Sequence, residues 1–350
     1  MKILIIGSGA LGSLEGIYYR AMLSLGESVE FFDLDPHMAV PKWLKSAGRL
    51  VNNRATFKLW SARTALALIR HLSSADRCYQ LICIFKGMQF SADVLREGRS
   101  LQRSAVWINI NPDDPFNLRS TSSTNLEVIQ SIPIFDLYCI WSRRLLEPIK
   151  TAGCRDVMYL PFGYDPALHF PPALTQATPS RAVSFVGAWD KEREKILASV
   201  ADLELRISGG AWGRVSRGSA LRRSVVRRTN IFGEEMATEV YLAAATLNIM
   251  RSQNTGAHNM RTFEVPAIGG LLLTTRSEEQ EEYFPEGKAS LMFGGNEELR
   301  EKIKWVLSNP IHASKIRIQG RAKVLQHTYK ARVRSVLDEV CSLRGERRAR

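Results

Sequence analysis

The sequence contains no apolar run long enough to cross a lipid bilayer. A membrane-spanning helix needs roughly 20 predominantly apolar residues, whereas the N-terminal apolar run of residues 2–6 stops at Gly7 and is also too short for a secretory signal. With 45% hydrophobic residues among 350, the composition is that of a globular protein. We expect a cytoplasmic protein, either free or peripheral at the inner face of the membrane.

Cysteine and histidine are sparse and scattered. The five cysteines form no Cys-x-x-Cys pair, and the six histidines are far apart along the chain. Structural metal sites use such ligands at close spacing. The sequence therefore predicts reduced cysteines, no metal site and no resident cofactor.

Acidic residues are in deficit, with 35 Asp and Glu against 48 Lys and Arg, which gives a net charge of +13. Six arginines crowd residues 214–228, and four more lie near the C-terminus. Such clusters attract nucleotide phosphates or an anionic membrane surface, although a solvated basic face has the same composition. The arginine-rich run lacks interleaved aromatic residues, so we expect no nucleic-acid partner.

Short apolar runs alternate with helical stretches in both halves of the chain, which is typical of parallel sheets connected by helices. A proline-rich, aperiodic stretch at 166–180 separates the halves and is typical of a linker. We predict an α/β protein with an N-terminal Rossmann-like domain (1–165), the linker, a second domain (181–335) and a basic tail (336–350). The predicted strands cover residues 2–6, 29–33, 81–85, 106–110, 138–140, 157–160, 182–186, 203–207, 247–250, 270–274 and 290–293.

A glycine motif follows the first predicted strand. Gly7, Gly9 and Gly12 form Gly-x-Gly-x-x-Gly before a predicted helix, and Asp33 ends the second strand, as in dinucleotide-binding domains. This pattern favours an NAD(P)-dependent oxidoreductase, but no dehydrogenase catalytic set is recognisable. The same loop also suits N–H groups that face phosphates or an acceptor, or a plain tight turn.

Polar side chains follow two further strands of the first half. Lys86 follows the strand at 81–85, where a cation could meet phosphate, and Asp113 and Asp114 follow the strand at 106–110. Paired carboxylates can bind sugar hydroxyls or act as a base towards an acceptor hydroxyl. Asp-Asp-Pro is also ordinary turn chemistry, so both interpretations stay open.

The most informative segment is residues 259–293. Arg261 and Glu264 lie three residues apart, on one face of a short predicted helix that ends at Gly269 and Gly270. Arg261 could neutralise a diphosphate, Glu264 could accept hydrogen bonds from ribose, and the glycines would let backbone approach a ligand. An ordinary surface ion pair has the same spacing.

This segment resembles the C-terminal nucleotide-binding part of group 1 glycosyltransferases, in particular the CgeB-like (spore-maturation) branch. In that branch an Asn-x-Arg-x-Phe-Glu turn, here residues 259–264, precedes Gly-Gly, a strand and an acidic helix. The resemblance is strong over residues 181–335. It implies the GT-B architecture, in which two doubly wound Rossmann-like domains face each other across a cleft. It also implies transfer of a hexose from a nucleotide-diphosphate-sugar co-substrate to an acceptor (glycan, glycolipid, protein or small molecule).

The resemblance also implies roles for individual residues. The donor would be bound by Arg261 and Glu264 with help from Asn259, Gly209, Gly210, Gly269, Gly270 and Arg193. The acceptor would lie near Gly7, Gly9, Gly12 and Lys86, and Arg261, Asp113, Asp114 and His258 are the catalytic candidates.

The sequence departs from the family pattern at one position. Many retaining members carry a further glutamate eight positions before the residue that corresponds to Glu264, and this chain has Gly256 there. Retention and inversion of the anomeric configuration both remain open. His258, two residues on, could contact the donor or be a polar loop histidine. A catalytically inactive nucleotide-sugar-binding protein is a further alternative.

Overall fold

A computed structural model describes residues 1–10, 12–38, 54–119, 123–173, 181–251, 254 and 256–349. The chain divides into two compact units. The first contains Met1–Pro161 together with the C-terminal residues from Lys330, and the second contains Phe162–Tyr329.

Each unit contains a six-stranded sheet in which all paired strands are parallel. Strands β1, β3, β4 and β5 of the first sheet are almost wholly buried, as expected for parallel strands covered by helices. The first sheet contains β1 (Lys2–Gly7), β2 (Ser28–Asp33), β3 (Leu81–Phe85), β4 (Val106–Asn111), β5 (Leu137–Ile140) and β6 (Asp156–Tyr159). The second contains β7 (Val183–Val186), β8 (Leu205–Ser208), β9 (Val225–Arg227), β10 (Thr246–Asn248), β11 (Leu272–Thr275) and β12 (Leu291–Phe293).

Helices connect the strands, and several begin at side chains that cap their free N–H groups. Ser13 accepts from the Gly16 N–H at 3.1 Å, and Asp190 accepts from the Arg193 N–H at 2.9 Å. The α-helices are α1 (Leu14–Leu23), α2 (Asp35–Met38), α3 (Arg54–Leu72), α4 (Ala92–Leu101), α5 (Leu126–Ser131), α6 (Leu146–Thr151), α7 (Lys191–Ala198), α8 (Gly233–Leu242), α9 (Arg261–Ile268), α10 (Glu278–Tyr283), α11 (Asn296–Ser308), α12 (Pro310–Val324) and α13 (Tyr329–Ala349).

The strand order of each sheet indicates where a ligand would bind, namely at the carboxyl ends of two strands inside the sheet. In the second unit the order is β12-β11-β10-β7-β8-β9, so the chain runs outward from β7 and then returns to β10, beside β7. In the first unit the order is β2-β1-β3-β4-β5-β6, and the reversal lies between β1 and β3. In open α/β sheets, ligands bind outside the carboxyl ends of the strands at such reversals.

The architecture confirms the predicted α/β fold with two Rossmann-like domains. Each of the 11 predicted strands overlaps an observed one, and β9 was not predicted. The carboxyl ends of the strands carry Lys86, Asp113 and the glycine motif in the first unit, and Gly209 in the second.

Two segments differ from the sequence-based description. The start of the predicted linker belongs to the second unit: His169 is buried, and Tyr164, two residues before the predicted linker, bridges to Thr328. Residues 174–180 lie outside the described part of the chain. The predicted basic tail is mostly the helix α13, whose Val336 and Val340 are buried. The functional domain bounds at 165 and 335 stay predictions.

No helix within the described ranges is both long enough and apolar enough to cross a membrane. All five cysteines are free thiols, three of them buried. The described residues also contain no group of three or more His, Cys, Asp or Glu side chains arranged to hold a metal ion.

Candidate functional site

Two arginines meet the carboxyl ends of the central strands of the second unit, at the reversal between β7 and β10. Arg193, in the first turn of α7, donates from Nε and Nη2 to the Ile249 carbonyl oxygen at 3.3 and 3.0 Å. Arg261, the first residue of α9, donates from Nε to the Val186 carbonyl oxygen at 3.0 Å. Backbone carbonyls therefore hold both guanidinium groups where this fold binds ligands.

Three arginines in this region, Arg193, Arg251 and Arg261, share two carboxylate partners, Asp190 and Glu264. Burial, and then repulsion from Arg251, lowers the pKa of Arg193 to about 10. Burial, and then repulsion from Arg193, lowers the pKa of Arg261 to about 10. Arg193 and Arg251 share one carboxylate oxygen of Asp190, each at 3.5 Å. An anion bound here would relieve the cost of burying these cations.

Glu264 is the carboxylate partner of Arg261. It accepts a hydrogen bond from Arg261 Nη1, and only 2% of its side chain is exposed. Its other oxygen, Oε1, lies 3.4 Å from His169 Nε2. The Asp165 N–H donates to His169 Nδ1 at 3.1 Å, so the ring proton is on Nε2 and faces Glu264. The i,i+3 ion pair is present, but on a buried helix rather than on a surface helix.

Arg261 is more accessible than its partner, with 25% of its side chain exposed. Its Nη2 has no hydrogen-bond partner among the residues that the structure describes. Arg261 Nη2 is therefore available to donate to a ligand, whereas both carboxylate oxygens of Glu264 already have partners. The predicted contact between Glu264 and ribose would require His169 to move, and it stays a prediction.

Asn259 positions the start of α9. Its side-chain amide donates to Asn248 Oδ1 at 2.8 Å, and its Oδ1 accepts from the Thr262 N–H at 3.3 Å. These bonds join the end of β10 to the first turn of the helix that carries Arg261. The geometry favours a positioning role for Asn259 over direct donor contact.

Gly209 and Gly210 lie just after β8 and bring two loops together. Gly209 has φ +155°, and a Cβ there would lie 2.0 Å from the Gly187 carbonyl oxygen. The Gly210 carbonyl accepts from the Trp189 N–H at 2.9 Å. Glycine is therefore required so that the β8 loop can pack against the loop that begins α7, beside the two arginines.

Gly269 and Gly270 lie at the C-terminal end of α9, whereas Arg261 lies at its N-terminal end. Helix α9 has eight residues, which places the glycines roughly 12 Å along its axis from Arg261. Gly269 ends the helix with φ +88°, and a Cβ at Gly270 would lie 2.6 Å from Val240 Cγ1. Their close approach is to the protein itself, and the donor-binding role predicted for them stays a prediction.

His258 is a buried structural histidine. It has no exposed surface. Its Nε2 accepts from the Phe162 N–H at 3.1 Å, and its Nδ1 lies 2.6 Å from Glu279 Oε2. Both ring nitrogens are engaged inside the second unit, so the geometry does not support the predicted contact with donor or phosphate.

In the first unit, Lys86, Asp113 and Asp114 do come together at the carboxyl ends of β3 and β4. Lys86 Nζ lies 2.5 Å from Asp113 Oδ2, and Arg144 Nη2 lies 3.0 Å from Asp114 Oδ2. Asp114 Oδ1 also accepts from the Phe116 N–H at 3.0 Å. Each carboxylate is thus paired with a cation. Their acceptor-side roles stay predictions.

The backbone of the glycine motif contacts the side chain of Asp33. The Gly9 N–H donates to Asp33 Oδ1 at 2.9 Å, and a Cβ on Gly9 would lie 2.5 Å from Asp33 Oδ2. Gly7 packs against Glu15 in the same way, and Gly12 has φ +77°. An acid that ends β2 beside the second glycine is also found in dinucleotide-binding domains, where it binds the ribose. This contact therefore leaves the NAD(P) alternative open.

Sequence reasoning missed two members of the arginine site. Asp190 was detectable as a capping residue three positions before Arg193. His169 lies 95 residues before Glu264 in a proline-rich stretch, and no local pattern connects the two.

Comparisons with known proteins agree with this fold. Residues 191–338 match a protein-family model described as glycosyl transferase-like. No curated protein is significantly similar in sequence. Among solved structures, sucrose-phosphate synthase from Thermosynechococcus elongatus is 16% identical with a TM-score of 0.70, covering 98% of this chain and 99% of its own. HepE from Anabaena, in complex with UDP-glucose, is 14% identical with a TM-score of 0.63, covering 98% and 100%. AviGT4, a glycosyltransferase involved in avilamycin A biosynthesis, is 14% identical with a TM-score of 0.62, covering 99% and 98%. The chain thus has the fold of these glycosyltransferases, and its second half matches a glycosyl transferase-like family.

Proposed function

We propose that this protein is a nucleotide-sugar-dependent glycosyltransferase, of the hexosyltransferase type and the CgeB-like branch. The observation that carries the proposal is the pair of partly buried arginines, Arg193 and Arg261, which backbone carbonyls hold at the strand reversal of the second unit. A diphosphate is an anion of suitable charge for two guanidinium groups. The glycosyl transferase-like match over residues 191–338 contains both arginines and supports this assignment.

In this proposal Arg261 acts mainly on the leaving group. Negative charge grows on the nucleoside diphosphate as the glycosidic bond breaks, so a fixed guanidinium stabilises the transition state more than the ground state. Glu264 holds Arg261 in place, and Arg193 supplies the second positive charge. We assign Arg261 Nη2, which has no hydrogen-bond partner within the described ranges, to a phosphate oxygen.

The base, the sugar and the acceptor are narrower proposals. The solved HepE structures contain UDP-glucose, UDP with glucose, or UDP, so UDP-sugars are the first donors to test. Gly7, Gly9, Gly12, Lys86, Asp113 and Asp114 remain the proposed acceptor-side residues.

A ligand panel read by thermal unfolding tests the proposal. UDP-, GDP-, CMP- and dTDP-sugars, together with NAD(H) and NADP(H), are added to the full chain, because a ligand that binds only the folded state raises its Tm. We expect one class of nucleotide-diphosphate-sugar to raise the Tm. Arg193→Met should abolish this increase, whereas Arg206→Met should not, because Arg206 is paired with Glu239 on the surface.

Other outcomes separate the alternatives. An increase in Tm with NAD(H) alone, abolished by Gly9→Asp, would identify an oxidoreductase and overturn the proposal. Donor binding without hydrolysis or transfer over a broad acceptor panel would indicate an inactive nucleotide-sugar-binding protein.

A further inference from the structure

Helix α12 has two apolar faces, and only one of them is used inside the protein. Ala313, Ile316, Gly320 and Val324 form the buried face, and a Cβ on Gly320 would lie 2.6 Å from the Ala289 carbonyl oxygen. This face therefore packs tightly onto the second unit.

The opposite face is aliphatic and exposed to solvent. Ile311, Ile318 and Leu325 are 73%, 61% and 56% exposed. They are seven residues apart, which is close to two helical turns, so they lie in one line roughly 21 Å long. We call these three residues the α12 strip. Isolated exposed apolar residues are common, but these three are aligned along one helix, so they can contact a partner together.

The surroundings of the α12 strip are positively charged. From Lys302 to Tyr329, with both ends included, the sequence has six Lys and Arg residues and no Asp or Glu. Lys315 and Lys323 are exposed, and neither has a carboxylate partner among the described residues. The partner of the strip must therefore accept aliphatic side chains in the middle and positive charge around them.

A groove of about 560 Å³ lies beside the strip, between α11 and α12. Trp305, which is 37% exposed, lines it together with His312, Lys315 and Lys302, with Glu301 also on its wall. Tryptophan is favoured at the boundary between lipid and water, and lysines favour phosphate head groups. The groove thus has the composition of a site for lipid head groups next to an apolar line.

We propose that the α12 strip and its basic surroundings dock this protein onto an anionic lipid bilayer. A second copy of the chain fits less well, because a symmetric contact would place the strip against itself and bring Lys315 and Lys323 of both copies together. An anionic bilayer has an apolar interior below a negatively charged surface, and a surface helix buries its apolar face in it to a depth of roughly 5–10 Å. The interface lies in the second unit and does not depend on the proposed glycosyl transfer.

Vesicle co-sedimentation with the full chain tests the proposal. The protein should sediment with phosphatidylcholine vesicles that contain phosphatidylglycerol and not with pure phosphatidylcholine, and binding should weaken as salt rises from 0.05 to 0.5 M. The triple variant Ile311→Ser, Ile318→Ser, Leu325→Ser should lower the partition coefficient at least about tenfold, since each aliphatic side chain contributes to insertion. Its Tm should stay close to that of the unmodified protein, because all three side chains are exposed.

Two matched variants locate the effect. Leu126→Ser removes a leucine that is 59% exposed in the first unit, and it should leave vesicle binding unchanged. Arg222→Gln with Arg223→Gln removes two charges of the exposed arginine cluster at residues 214–228, and it should lower binding less than the triple variant. Equal binding by the triple variant, or loss only in the arginine variant, would overturn the proposal. So would a dimer in sedimentation equilibrium that the triple variant dissociates.

Discussion

Removing the positive charge of Arg261 should destabilise the protein as well as weaken donor binding. Arg261→Met leaves the carboxylate of Glu264, which is 2% exposed, with His169 as its remaining partner. Breaking a buried ion pair by removing one partner typically costs roughly 3–5 kcal/mol. Because Arg261 itself is 25% exposed, we expect the lower end, about 3 kcal/mol. For a unit of this size, that corresponds to a Tm decrease of roughly 6–12 °C.

The double variant Arg261→Met, Glu264→Gln separates the structural role of the pair from its functional role. It removes both charges, and replacing a whole buried pair by neutral groups is often close to neutral for stability. We therefore expect most of the lost stability to return, with a coupling energy of roughly 2 kcal/mol between the two positions. Nucleotide binding should not return, because the guanidinium that meets the diphosphate is still absent.

Four proteins are compared: the unmodified protein, Arg261→Met, Glu264→Gln and the double variant. For each, urea unfolding gives the stability, and the Tm increase with the nucleotide found in the ligand panel reports binding. Arg206→Met with Glu239→Gln provides a surface pair for comparison, with 44% and 14% side-chain exposure; its coupling should be about 0–1 kcal/mol. A coupling as small at Arg261 and Glu264 would refute the argument from burial. A double variant that binds nucleotide as well as the unmodified protein would refute the assignment of Arg261 to the diphosphate.

Three further predictions follow from single positions. Gly209→Ala should destabilise by at least about 3 kcal/mol in urea unfolding, since its Cβ would lie 2.0 Å from a backbone oxygen at positive φ, whereas Gly213→Ala meets nothing within 4 Å and should be nearly neutral. Glu15→Gln should raise the Tm at neutral pH because burial raises the pKa of Glu15; the gain should vanish below its ordinary value of 4.5, where the carboxyl is protonated in both the folded and unfolded states. His258→Gln should lower stability by about 1–3 kcal/mol because it removes the buried hydrogen bond between His258 and Glu279, yet it should leave the Tm increase with nucleotide unchanged. Loss of that increase in a folded variant would support a donor-binding role.

The fold could be predicted because its strands are buried and strongly apolar. The sequence did not predict β9, since this strand has only three residues, Val225–Arg227, and the last two are exposed. It lies at the edge of the sheet, next to β8. An edge strand with one buried neighbour does not need the continuous apolar run by which central parallel strands are detected.

The candidate site was predictable only where local chemistry determines a role. Arg261 and Glu264 could be paired from their i,i+3 spacing. Gly269 and Gly270 were assigned to the ligand, although the structure uses them to end a helix and to pack on Val240. A glycine pair indicates a close approach but does not indicate what is approached. His169 reaches Glu264 only through tertiary folding, which no sequence period encodes.

Buried polar groups around α9 hold the helix, and with it Arg261, in one position. Thr262 Oγ1 donates to Gln280 Oε1 at 2.8 Å, and Gln280 Nε2 donates to Thr274 Oγ1 at 2.6 Å. Every residue of α9 after Arg261 is buried. A buried polar network of this kind fixes one helix position only when its members are satisfied. The helix that presents Arg261 is therefore anchored to helix α10 and, through Gln280, to strand β11. Such anchoring lets a guanidinium stabilise charge on a leaving group without first reorganising.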